Sequence, residues 1–164
     1  MAAESINGLR SLAVSLSSSS EPREVAAGVQ RLGDQVSAAR KKEKKMLAEI
    51  AKLEGEQIKS QLSEGREAAF LYRATDGLDV INLVLLEIKD IVKERGVVVL
   101  CSGEVKTSGS IVVFGKTELV EKLTAKVKDI VCTVKGGGKG EKWQGKVTEW
   151  QKGEIEALTA AIAA

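Results

Sequence analysis

The residues in this sequence best suited to holding a ligand lie near its carboxyl end, in Lys135-Gly136-Gly137-Gly138-Lys139-Gly140 and the following Lys142, Trp143, Gln144, Gly145 and Lys146. Glycines leave backbone N–H groups uncovered, and such groups can converge on a phosphate or another anion. Lysines add charge. Residues 135–152 hold five lysines against two glutamates, a surplus of three in a chain whose formal net charge is +2. Trp143 and Trp150 offer flat rings for stacking on a base or sugar. The span therefore predicts a contact with a nucleic-acid backbone. It is not a P-loop, because Gly136 to Gly140 lacks the G-x-x-x-x-G-K-[ST] order and does not open into an amphipathic helix.

The rest of the composition removes chemistries. The chain has no histidine, so a Ser-His-Asp triad, a His-assisted cysteine nucleophile and zinc sites built on histidine are all excluded. Cys101 and Cys132 cannot form a four-thiolate metal site and match no metal-ligand spacing. One disulfide between them is conceivable, but they read better as two small apolar residues buried in neighbouring elements, which fits a reducing cytosol. No catalytic residue, metal or cofactor is expected. No apolar run approaches the ~20 residues needed to span a bilayer, and the stretch Leu9 to Leu16 is too short and badly flanked for a signal peptide. With 164 residues, 43% hydrophobic but only 3% aromatic, the chain can bury one modest core and carry an appendage.

The elements that position the glycine-rich span follow from periodicity. Residues 1–20 read as a short helix around Ile6, Leu9, Leu12, Val14 and Leu16, then a serine linker, Ser17 to Ser20. Pro22 suits the first turn of a helix. From there Val25, Val29, Leu32, Val36, Ala39, Met46, Ile50 and Leu53 recur by threes and fours, a seam broken at Glu43, with Ile58 and Leu62 beside it. Such a helix, running to about Leu62, would be ~60 Å long and must project from any domain of ~100 residues. Its seam needs a partner: a second copy of the chain, the short N-terminal helix folded back as a hairpin, or both. Val25, Val29, Leu32, Val36, Met46, Ile50 and Leu53 are therefore the candidate dimerisation residues. Gly28, Gly33 and Gly55 would let another helix approach closely. The run Arg40-Lys41-Lys42-Glu43-Lys44-Lys45 reads as a solvated face or a second phosphate contact.

Past Gly65 the helical period gives way to short β-prone runs. Ala68–Arg73 is predicted as a strand, and Leu78 to Arg95 as an amphipathic helix capped by Asp76 or Asp79 and stopped by Gly96. Val97–Cys101 and Ser110–Phe114 should pair as a hairpin. Thr117 should cap a second helix reaching Val131. A last amphipathic helix, carrying Ile155, Leu158 and Ile162, should dock on the sheet. The expected class is α+β: a helical segment, residues 1–64, followed by a globular domain, residues 65–164, of about three to five strands and two or three helices.

The order of these motifs resembles a known domain. Gly77-Leu78-Asp79, a helix, Val97 to Glu104, Ser108 to Val113, a helix, and the Lys135–Gly140 run with Gln144-Gly145 are similar to the C-terminal DHH-associated domain of alanyl-tRNA synthetases and of AlaX-type alanyl-tRNA editing proteins. The preceding rod resembles the helical segment joining that domain to the editing domain. The resemblance implies that Gly136, Gly137, Gly138, Lys139 and Gly140, with Gln144 and Gly145 beside them, contact the outer corner of tRNA, tRNA-Ala in the first place; the charge and ring reading adds Lys135, Lys142, Lys146 and Trp143 to the candidate nucleic-acid-binding residues. It also implies that the rod forms a homodimer in the cytoplasm. An editing site needs His and Cys ligands, so a chain without histidine cannot contain one. The reading is a non-catalytic tRNA-binding and dimerisation module. The alternative is a structural adaptor that has lost RNA binding.

Overall fold

The structure, a computed structural model, describes residues 2–16 and 21–163. The expected linker Ser17 to Ser20 lies outside them. Two compact units divide the chain, residues 1–46 and 47–164.

The first unit contains helix α1 (Ala2–Ser15) and the beginning of α2, a single helix over Pro22–Ser63. Ala13, Val25 and Gly28 are buried in it. Val29, Leu32 and Val36 are about half exposed, as are Ile6 and Leu12, while Val14 is largely exposed. Every residue from Arg40 to Lys45 is exposed.

The second unit is a five-stranded mixed sheet with helices on both faces. Its elements in chain order are β1 (Ala68–Arg73), α3 (Leu78–Arg95), β2 (Val97–Ser102), β3 (Gly109–Gly115), α4 (Thr117–Ile130), β4 (Val134–Lys139), β5 (Lys142–Val147) and α5 (Glu154–Ala163). The strand order is β1-β2-β3-β5-β4. Only β1 and β2 run parallel; β2 and β3 form the expected antiparallel pair. This is the α+β arrangement read from the sequence.

Alternation along β2 builds both layers of core at once. Val97, Val99 and Cys101 face α4 and α5, where they meet Ile111, Val113, Val120, Leu123, Val127, Leu158 and Ile162. Val98 and Leu100 face the other way, onto Val80, Ile81, Val84, Leu85 and Ile88 of α3. All six residues of β2 are buried, which explains its unbroken apolar run.

Residues 47–63 of α2 belong to this second unit. Its buried stripe is Ala51, Gly55, Ile58 and Leu62, which packs with α3, whereas Leu53 is 62% exposed and Ile50 only partly covered. The seam expected through Ile50 and Leu53 is thus not the face that meets the α/β core. Gly55 decides the approach: a Cβ placed there would lie 2.9 Å from the Glu87 Cβ and 3.4 Å from Ile88 Cγ2.

Three local expectations are corrected, and a fourth holds with a different geometry. The N-cap of α3 is Gly77, with no side-chain cap bond, because Asp76 instead accepts from Arg73 Nε at 2.6 Å. Lys116, not Thr117, occupies the cap position of α4; its backbone N–H donates to the Gly96 carbonyl, since only one residue separates β3 from the helix. Gly96 does end α3, but with an extended φ of −172°. What demands glycine there is the Glu67 carbonyl oxygen, 2.3 Å from where a Cβ would stand. Finally, Cys101 is buried but Cys132 is exposed, because Val131 takes the inward position as α4 ends; both thiols are free. Burial pushes the Cys101 thiol far above the usual cysteine range.

Replacing Gly55 by valine should overpack the α2–α3 contact and lower stability by about 1–3 kcal/mol. The same change at Gly33, which has nothing within 4 Å of a built Cβ, should have little effect. Urea unfolding of both variants tests the difference.

Candidate nucleic-acid interface

The glycine-rich run is a strand rather than a loop. Val134–Lys139 forms β4, the edge of the sheet, and Gly140-Glu141 is the two-residue turn into β5. Gly140 has φ +74°, as a glycine at the first position of a tight hairpin turn allows. The turn is tied to the sheet by the Gly115 N–H, which donates to the Glu141 carbonyl at 2.9 Å. Lys93 of α3 pairs with the Glu141 carboxylate.

Period-two alternation then gives the hairpin two unlike faces. On one, Trp143, Gly145 and Val147 turn toward α4, and Gly138 and Gly136 lie opposite Trp143 and Gly145. Trp143 is 4% exposed. Its indole rests against both Gly136 and Gly145, where a built Cβ would stand 2.8 and 2.5 Å from ring carbons. Lys128 Nζ lies 5.7 Å from the ring centroid, close enough for a cation–π contact. Stacking of this ring on a base, expected from the sequence, is corrected: the ring is part of the core. Trp150 is likewise fully buried, with Nε1–H donating to the Ser102 carbonyl at 2.9 Å.

The opposite face carries Lys135, Gly137 and Lys139 on β4 and Lys142, Gln144 and Lys146 on β5. In register, Lys135 faces Lys146, Gly137 faces Gln144 and Lys139 faces Lys142. All four lysines are exposed, and Gln144 is half-buried. Nothing lies within 4 Å of a Cβ built on Gly137, so the middle of this face is bare backbone. Like charges directly opposite on a sheet are destabilising. Two such pairs on a hairpin of two six-residue strands form a site whose electrostatics favour an anion.

The backbone adds donors at the edge. Since Glu141 bonds to β3, so do the alternate residues Trp143, Gly145 and Val147, and Lys142, Gln144 and Lys146 bond to β4. The N–H groups of Lys135, Gly137 and Lys139 are therefore paired within the sheet, while those of Gly136 and Gly138 turn to its open edge. The expectation of a whole run of free amides is reduced to these two. They border a groove between β4 and α4 lined also by Glu121, Thr124 and Lys128, in which the buried Thr124 hydroxyl has no hydrogen-bond partner.

Of the residues singled out in the sequence, the hairpin brings Lys135, Gly137, Lys139, Lys142, Gln144 and Lys146 onto one face and turns Gly136, Gly138, Trp143 and Gly145 to the other. There Thr124 and Lys128 of α4, which carry no local signal, join Gly136, Gly138 and Trp143 in the groove. Tyr72 is half-buried and donates its hydroxyl to the Gly103 carbonyl at 2.8 Å; burial, then Glu104, raises its pKa. Among the described residues no three acidic or thiol side chains converge on a metal-sized site, and no helix is long and apolar enough to cross a membrane.

Gly136→Ala and Gly145→Ala should each lower stability by about 1–3 kcal/mol, because the added methyl meets backbone or the Trp143 ring. Gly137→Ala should fold as the parent does. Thermal melts and tryptophan fluorescence read both effects.

No protein-family model matches the chain. Three curated proteins are similar to it. A Saccharomyces cerevisiae protein provisionally named alanyl-tRNA editing protein alaX is 28% identical, over 96% of this chain and 36% of its own length. Alanyl-tRNA editing proteins Aarsd1-B and Aarsd1-A of Xenopus laevis are 31% and 30% identical, each over 86% of this chain and 33% of their own length. The homologues of this chain are thus alanyl-tRNA editing proteins, and it spans about a third of their length.

Proposed function

We propose that the chain is a non-catalytic tRNA-binding and dimerisation module, equivalent to the C-terminal DHH-associated domain of alanyl-tRNA editing proteins. The observation that carries the reading is the clustering of Lys135, Lys139, Lys142 and Lys146 around bare Gly137 on one open face of the β4–β5 hairpin. Phosphates of a folded RNA relieve the repulsion within each lysine pair. The edge N–H groups of Gly136 and Gly138 donate to further phosphate oxygens, and Gln144 supplies a neutral hydrogen-bonding group. Contacts of this kind recognise shape and backbone more than base identity, as suits the outer corner of a tRNA. The names of the relatives support tRNA, with tRNA-Ala first, as the partner.

Dimerisation is assigned to the exposed apolar residues Val29, Leu32, Val36, Met46 and Leu53 of α2, which are 43–62% exposed. Apolar residues at three- and four-residue spacing on a helix are stabilised by a second helix laid along them. Val25, already buried, and Ile50, partly covered, contribute less to such a contact.

Anisotropy with labelled tRNA at two salt concentrations tests the RNA contact. Lys139→Glu combined with Lys142→Glu should weaken binding by about tenfold or more at low salt and flatten the salt dependence, since each lost phosphate contact removes roughly 0.7–0.9 log units of slope. The melting temperature should not fall. Unchanged affinity would remove the hairpin from the interface and leave the adaptor reading. Light scattering of the full chain should give a dimer mass, and Leu32→Glu with Val36→Glu should halve it; a monomeric parent would refute the role of the rod.

A further inference from the structure

The carboxyl ends of the two parallel strands border a second cleft, of about 390 Å³, which has only Lys146 in common with the hairpin face. Its walls are the turn from Ala74 to Gly77, the end of β2 at Ser102, and the loop that leads on to β3, with Lys146 at the side. Open α/β sheets receive ligands just outside the carboxyl ends of their strands.

Two independent features on different elements point to an anion. The first is the start of α3, an 18-residue helix whose N-cap Gly77 offers no side chain to its first-turn amides. Those N–H groups carry the positive end of the helix dipole. The second is Ser102, which is only 3% exposed and lines the cleft. Alternation with Val98 and Leu100 turns its side chain to the α3 side of the sheet. Its carbonyl accepts from Trp150, but its hydroxyl makes none of the side-chain hydrogen bonds among the described residues. With no partner among the described residues and a place on the cleft wall, this hydroxyl is available to a ligand that enters the cleft.

The far wall is rigid. Lys106 N–H donates to the Trp150 carbonyl and Trp150 N–H to the Thr107 carbonyl, at 2.9 and 3.0 Å. Gly103 and Gly109 leave the room the Trp150 indole needs. Of the two carboxylates on the cleft, Asp76 is held by Arg73, which also pairs with Glu54 at 3.1 Å, and Glu104 is exposed. Lys146 is the cation facing them.

We propose that this cleft binds a phosphoryl group, held by the first-turn amides of α3, the Ser102 hydroxyl and the Lys146 ammonium. The group is either a free phosphate or nucleotide, or a phosphate of a bound RNA chain. The proposal shares only Lys146 with the hairpin interface and does not require that interface to bind RNA.

The test is amide NMR of the full chain, titrated separately with inorganic phosphate, a 5′-mononucleotide and tRNA at constant ionic strength. Resonances of Leu78, Asp79, Ser102 and Gly103 should move with phosphate. Gly77→Asp is the informative variant: nothing lies within 4 Å of a built Cβ, and the new carboxylate caps the same amides itself. It should melt no lower than the parent and lose the phosphate response. Movement with inorganic phosphate or the mononucleotide supports a free ligand, and movement with tRNA alone supports an RNA phosphate. No movement with any of the three, or a Gly77→Asp variant that responds as the parent does, overturns the proposal. The Lys139→Glu, Lys142→Glu variant should keep its response to inorganic phosphate, so failure of the hairpin reading and failure of the cleft are read separately.

Discussion

The seating of one indole ring organises the hairpin. Trp143 must turn inward because its neighbours across the sheet, Val113 and Gly138, place that register position over α4, where Val120, Leu123 and Val127 complete the core. Once it does, the pleat forces Lys142 and Gln144 to the other face, and their partners on β4 follow. The basic surface is in this sense the outer side of a packing decision. A one-residue slip of register would bury lysines and expose the ring, so the hydrophobic face protects the arrangement of the charged one.

The glycine run consequently serves two ends. Gly136 leaves room for the Trp143 ring, and Gly138 adopts a φ of +152° with the Lys142 carbonyl 2.3 Å from a built Cβ. Gly137 meets no such demand, and its bareness opens the charged face. Trp150 repeats the device at the other end of β3, where Gly103 and Gly109 make space for its indole. In a chain with few aromatics, each tryptophan is accommodated by a pair of glycines; Gly136 of the first pair borders the β4–α4 groove, and both Gly103 and Gly109 of the second border the cleft beside Ser102. Close backbone packing behind a ring leaves amides and hydroxyls near the surface without large side chains over them.

Most elements were legible because their periods are strong. The apolar steps of α3 and α4 and the unbroken run of β2 admit one reading each. The glycine run was not legible as a strand, since glycine has low strand propensity and β4 has no apolar alternation of its own; pairing with β5 and the Trp143 contact supply what propensity lacks. The capping predictions failed where tertiary partners competed: Arg73 for Asp76, and the Gly96 carbonyl for the backbone at Lys116. In α2 the sequence displayed two apolar stripes, and only the presence of α3 distinguishes the one through Ala51, Ile58 and Leu62 from the one through Ile50 and Leu53.

The amino-acid order alone determined the α+β class, the position of the basic hairpin residues along the chain, and the absence of histidine chemistry, because each depends on composition or on periods within one segment. Tertiary structure decided which face each lysine occupies, that both tryptophans are core rather than stacking surfaces, and that Gly77, Ser102 and Lys146, far apart in sequence, line one cleft. The physical reason is the same in each case. Burial and proximity are properties of pairs of segments, and no local pattern of residue types carries that information.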